Sequence, residues 1–100
     1  MKTKSKKLAK LERDRFSIIT DDLSTCIICG IPKQDLNEIF GGRNRQNSMK
    51  YGLVIPMCRK CHIKYTNDRN MQLKWMKICQ KKFEEVYNID FIDIFKRNYI

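Results

Sequence analysis

The sequence predicts a small α+β fold, and three observations carry that expectation. Two Cys-x-x-Cys pairs, Cys26/Cys29 and Cys58/Cys61, stand 28 residues apart. Two short apolar segments between them have the length of strands, LNEIF at residues 36–40 and YGLVIPM at residues 51–57. A long stretch after the second pair repeats its apolar residues at helical spacing.

The cysteine pairs set the chemistry. Thiolate is a strong zinc donor, and zinc favours four tetrahedral ligands. A two-residue spacer lets both sulfurs of a pair face one ion, and two such pairs in a reducing compartment read as a metal site rather than as disulfides. Cys26, Cys29, Cys58 and Cys61 are therefore expected to hold one zinc ion. With four sulfurs bound, no position is left for water, so the ion is structural. Such an ion contributes on the order of 10–16 kcal/mol, as much as the whole stability of a small domain.

The 100 residues suit one domain. Residues 1–19 read as a basic N-terminal helical arm, 20–66 as the zinc-stapled core and 67–100 as C-terminal helices. In the arm, Leu8 and Leu11 share one side of a helix, with Phe16, Ile18 and Ile19 anchoring its end, and the charged remainder is solvated. TDDLS, residues 20–24, leads into the first knuckle. Gly30 follows Cys29 where the backbone must turn sharply. GGRNRQNSMK, residues 41–50, reads as a loop between the strands. CRKCH, residues 58–62, opens a short helix. The long helix is expected over residues 70–87, with Trp75, Met76, Cys79, Phe83 and Val86 on its apolar stripe and Lys74, Lys77, Lys81 and Lys82 off it. Cys79, the fifth cysteine, falls on that stripe and reads as core rather than ligand. Asp68 or Asn70 suits its start and Asn88 its end, while Asp90 caps a last helix carrying Phe91, Ile92, Ile94 and Phe95.

Lys and Arg outnumber Asp and Glu 21 to 11, a net charge of +10. That balance favours acidic partners: nucleic acid, an acidic protein face or a nucleoprotein. Mimicry of DNA would need the opposite sign. No apolar run reaches the length of a membrane span. The N-terminal run has no apolar signal-peptide core, so a cytoplasmic location is expected.

The stretch CIICG, LNEIF, GGRNR, GLVIPMC, RKCH resembles the HNH endonuclease superfamily, whose ββα-metal fold is the architecture that the resemblance implies. It is similar in particular to small phage-encoded HNH-type proteins that end in a helix and a sequence like FKRNY. The superfamily carries an Asp-His or His-His pair on the first strand, one residue binding a catalytic divalent metal and the histidine activating water. Here those positions are Asn37 and Glu38, and the one histidine of the chain, His62, matches a metal-ligand position. Asn44 or Asn47 stands in for the family's central asparagine. Asn37, Glu38 and His62 are thus the candidate vestigial site.

Three functions from different classes follow from the resemblance and from the net positive charge. A divergent nuclease would use Glu38 and His62 with Mg²⁺ to cut DNA. A nucleic-acid-binding zinc module would place Arg43, Arg45, Lys50, Arg59, Lys60 and the N-terminal lysines on phosphates. A non-catalytic inhibitor would block a protein or nucleoprotein target. Small zinc-containing anti-CRISPR inhibitors of the type II effector nuclease share this size, this staple and this lack of a catalytic set. The expectation is a non-enzymatic protein on a degenerate HNH scaffold, with the anti-CRISPR role as its context.

Overall fold

A computed structural model of the chain describes residues 6–100. The lysines of residues 2 and 4, part of the expected basic arm, lie outside the described residues. The architecture is α+β: among the described residues, five α-helices surround one two-stranded antiparallel sheet.

The sheet pairs β1 (Asp35–Glu38) with β2 (Val54–Met57), in a register that sets Asp35 opposite Met57 and Glu38 opposite Val54. Every residue of β2 is buried. A strand covered on both faces reads as an unbroken apolar run, as VIPM does. Pro56 has no amide hydrogen to donate, which a central strand would require. A two-stranded sheet has only edges, so it is tolerated here. The Pro56 carbonyl instead accepts a hydrogen bond from the Ile27 amide at 2.9 Å, tying the first knuckle to the sheet.

Both strands are shorter than expected, and residues 41–50 are not the expected loop. After a 3₁₀ turn at Gly42–Asn44, the chain forms α2 (Arg45–Tyr51). Tyr51, expected in the second strand, is the last residue of that helix. Gly52 ends it at φ 77°, and the amides of Gly52 and Leu53 both close onto the Ser48 carbonyl. A helix of seven residues is too short to show a period. What fixes it is tertiary: Ser48 and Met49 are buried, and the Ser48 hydroxyl donates to the Phe40 carbonyl at 2.7 Å and accepts from the Phe40 amide at 3.1 Å. One side chain thus satisfies both backbone groups where the chain leaves β1.

The remaining helices follow from local signals. Cys58 caps α3 (Arg59–Thr66), its sulfur accepting from the Cys61 amide at 3.4 Å. Asp68 caps α4 (Arg69–Tyr87) by accepting from the Met71 amide at 3.1 Å, and Asn88 closes α4 at φ 53°, in the left-handed region that asparagine tolerates. Asp90 caps α5 (Phe91–Phe95). The stripe on α4 holds at Cys79 and Phe83, both wholly buried, while Trp75 and Met76 pack partly buried against the core. It fails at Val86, which is exposed. The buried arc continues from Phe83 to Tyr87, four residues on, because the Tyr87 hydroxyl reaches the Tyr51 carbonyl at 2.7 Å.

The core beside the sheet is aromatic. The Phe40 ring lies 5.0 Å from Phe91 and 5.1 Å from Phe95, and Phe91 stacks on Phe95 at 4.3 Å. Phe83 meets Tyr51, Phe91 and Phe95 edge-on. Burying one such ring contributes about 1.5–3 kcal/mol.

From Lys6 on, the N-terminal arm is docked along its Leu8 and Leu11 side, while Lys6, Lys7, Lys10 and Arg13 are exposed as expected. Its helix α1 (Lys6–Arg13) packs against α2, and Ile18 and Ile19 reach the core. The Ile18 amide donates to the Gly52 carbonyl at 2.9 Å, and the Phe16 ring covers Gly52 so closely that a Cβ there would fall 2.6 Å from it. Gly52→Ala is therefore expected to destabilise the fold by about 1–3 kcal/mol, from positive φ and the displaced ring together. Thermal unfolding of the metal-loaded protein measures it, and an unchanged melting temperature would contradict this account.

Candidate metal centre

The two knuckles meet because the hairpin brings their ends together. Cys26 and Cys29 lie in a tight turn. The Gly30 amide donates to the Cys26 carbonyl at 2.9 Å, and the Cys26 amide donates to the Ile31 carbonyl at 2.7 Å. Gly30 takes φ 82°, as its position after the second cysteine predicted. Cys58 follows β2 directly, and Cys61 sits in the first turn of α3.

All four sulfurs lie within 4.8 Å of one another. The Cys29 and Cys58 sulfurs are 3.7 Å apart. A tetrahedron with metal–sulfur bonds of about 2.3 Å has edges of about 3.8 Å, so this edge already has its metal-bound length. The cysteines are all free thiols. Their ionisation is uneven. Burial resists ionisation of Cys26, but amide groups of Cys29, Cys58 and Ile28 donate to its sulfur and bring it down to about 6. The neighbouring Cys58 sulfur, followed by burial, pushes Cys61 up to about 12. Crowded thiols cannot all ionise unaided, whereas a cation at their centre favours four thiolates. The donor set fits a soft divalent metal held in a closed site. Cys79 stands apart from the cluster, wholly buried on α4, its thiol pushed up to about 12 by that burial.

The candidate vestigial residues are separated. Asn37 is buried, and its amide points to the Met57 sulfur at 3.8 Å. Glu38, next on the strand, turns to the other face. It forms ion pairs with Arg15 at 2.7 Å and Arg45 at 3.4 Å. Arg45 also meets Glu12 at 2.8 Å, so two carboxylates and two guanidiniums bind α1, β1 and α2 together. His62 pairs with a residue that sequence reasoning missed. Its Nδ1 lies 3.1 Å from Asp35 Oδ2, and Arg59 lies 3.1 Å from the same oxygen. Hydrogen bonds from Arg59 and His62 hold the Asp35 carboxyl below its usual range. Glu38 and His62 are thus engaged by different partners. Asn44 and Asn47 turn to the last helix, donating to the Phe95 and Ile94 carbonyls at 3.0 and 3.4 Å.

The five basic residues expected to share a contact surface also divide. Arg45 and Arg59 are committed to carboxylates, and Lys50 lies over the Tyr51 ring. Arg43 and Lys60 are exposed. Nothing in the local sequence marks the pairing of Asp35 with Arg59 and His62 or of Arg15 with Glu38, because these partners lie more than twenty residues apart. No helix is long and apolar enough to cross a membrane among the described residues.

No protein-family model, curated protein or solved structure matches this chain.

Two outcomes are expected. Cys26→Ser and Cys61→Ser should each lose the metal and cooperative unfolding; a quadruple serine variant with an unchanged melting temperature would refute a structural role. Glu38→Ala should cost about 1–3 kcal/mol by removing the 2.7 Å partner of Arg15 and leaving Arg15 and Arg45 to share Glu12, read by urea unfolding of the metal-loaded protein.

Proposed function

We propose that this chain is a non-catalytic binding domain, stapled by one zinc ion, whose partner contains nucleic acid. The observation that carries the reading is the engagement of Glu38. A base or ligand for a catalytic cation must be free to meet it, whereas Glu38 holds two guanidiniums, at 2.7 and 3.4 Å. The carboxylate is thus taken up by two side chains of the fold itself. His62 meets Asp35 through Nδ1. In this reading Glu38, at the position where the resemblance implies a base, serves the fold.

Zinc is favoured for the sulfur cluster because four thiolates in a closed tetrahedron suit a redox-inert d¹⁰ ion that needs no open position. The net charge of +10 supports a polyanionic partner. The inhibitor reading belongs to the same class, since a guide-loaded type II CRISPR effector is a nucleoprotein.

The test begins with elemental analysis, which should find one zinc per chain. The protein is then incubated with DNA and Mg²⁺ or Mn²⁺, beside Glu38→Ala and His62→Ala. No metal-dependent product is expected. Cleavage by the wild type that either substitution abolishes would reverse the reading in favour of the divergent nuclease. Binding to labelled oligonucleotides should weaken steeply as salt rises. Added to target cleavage by a guide-loaded type II effector, the protein stops product formation if the inhibitor reading holds.

A further inference from the structure

Three arginines far apart in sequence line one cleft. Arg43 lies in the turn before α2, Arg69 opens α4, and Arg97 follows α5. With Asn44, Asn98 and Tyr99 they line a concavity of about 490 Å³. None of the metal-centre residues lines it. Among the described residues, none of the three guanidiniums forms an ion pair, in contrast to Arg15, Arg45 and Arg59. Arg69 makes a hydrogen bond to Gln72, a neutral partner.

The walls are held firmly while the charges are left open. Gln80, buried on α4, donates to Asn98 Oδ1 at 2.9 Å and accepts from the Tyr99 amide at 2.8 Å. The Tyr99 ring packs 5.3 Å from Phe40. Asn44 clamps the turn to the end of α5. A solubilising charge needs no such support. Three guanidiniums brought together without a carboxylate repel one another, and a concave wall concentrates their field. The occupant that relieves this is an anion with several oxygens, and guanidinium forks match phosphate oxygens in pairs. The volume exceeds one phosphate and suits a nucleotide unit.

We infer that the Arg43–Arg69–Arg97 cleft is a binding site for the phosphate backbone of a nucleic-acid strand. This rests on the reading above that the partner contains nucleic acid, and it places the contact in that cleft.

The experiment compares full-length zinc-loaded wild type with Arg43→Gln/Arg69→Gln/Arg97→Gln and with Lys74→Gln/Lys77→Gln/Lys81→Gln. The second variant removes the same charge from the exposed face of α4. Anisotropy of fluorescein-labelled single- and double-stranded DNA is followed across a salt series, with zinc content and melting temperature recorded. The arginine variant should lose about tenfold or more in affinity and flatten the salt dependence by up to about 2–3 in log–log slope, while the lysine variant loses distinctly less. An Arg43→Lys/Arg69→Lys/Arg97→Lys variant should keep the salt slope but lose affinity, because lysine cannot fork. Single Arg→Gln variants serve if the triple does not fold, each lowering the slope by about 1. Equal losses in the arginine and lysine variants overturn the cleft and leave the nucleic-acid reading standing. Absence of wild-type binding at any salt overturns both. Competition by inorganic phosphate at millimolar concentration that equals competition by unlabelled oligonucleotide would assign the cleft to free phosphate and overturn the strand assignment.

Discussion

The junction of four sulfurs is the constraint on which the rest depends. A sheet of two four-residue strands offers too few ladder hydrogen bonds to stand alone. The knuckles close its end. Cys58 follows β2 and starts α3, so one residue fixes where a strand stops and a helix begins. The first knuckle reaches across to the same point, and its Ile27 amide satisfies a carbonyl of β2. A metal bound there would fasten strand, helix and loop at a single centre, which explains how a chain of this size keeps an architecture with so little sheet.

At the other end of the sheet, aromatic packing does the corresponding work. Phe40 leaves β1 into a cluster built from α2, α4 and α5, and the Ser48 hydroxyl satisfies its peptide groups. The chain beyond α5 then returns over this cluster, held by the buried Gln80. The tail is therefore part of the folded body, and the cleft that it helps to form has rigid walls.

Charge is distributed in two distinct ways over these elements. Between α1, β1 and α2, Glu12 and Glu38 each meet both Arg15 and Arg45 in a half-buried network. Around the cleft, Arg43, Arg69 and Arg97 form no ion pair among the described residues. The excess of positive charge is thus not an even coat. The Glu38 carboxylate belongs to the first group, where it joins Arg15, just beyond α1, to Arg45 of α2.

Much of this was legible in the sequence wherever the deciding interaction is local. The spacing of Cys26, Cys29, Cys58 and Cys61 marked the sulfur cluster, because a two-residue spacer directs two side chains at one point. Asp68, Asn88 and Asp90 marked helix ends, because each cap acts on the backbone within a few residues. Cys79 and Phe83 followed the helical period into the core. The tertiary structure alone decided the rest. The helix α2 forms because Ser48 and Met49 find buried partners, not because its seven residues carry a pattern. Glu38 meets Arg15, and Asp35 meets His62, only once the chain has doubled back. Arg43, Arg69 and Arg97 converge for the same reason. A side chain's type and its near neighbours are written in the sequence, but which distant charge lies a few ångströms away depends on the path of the whole backbone.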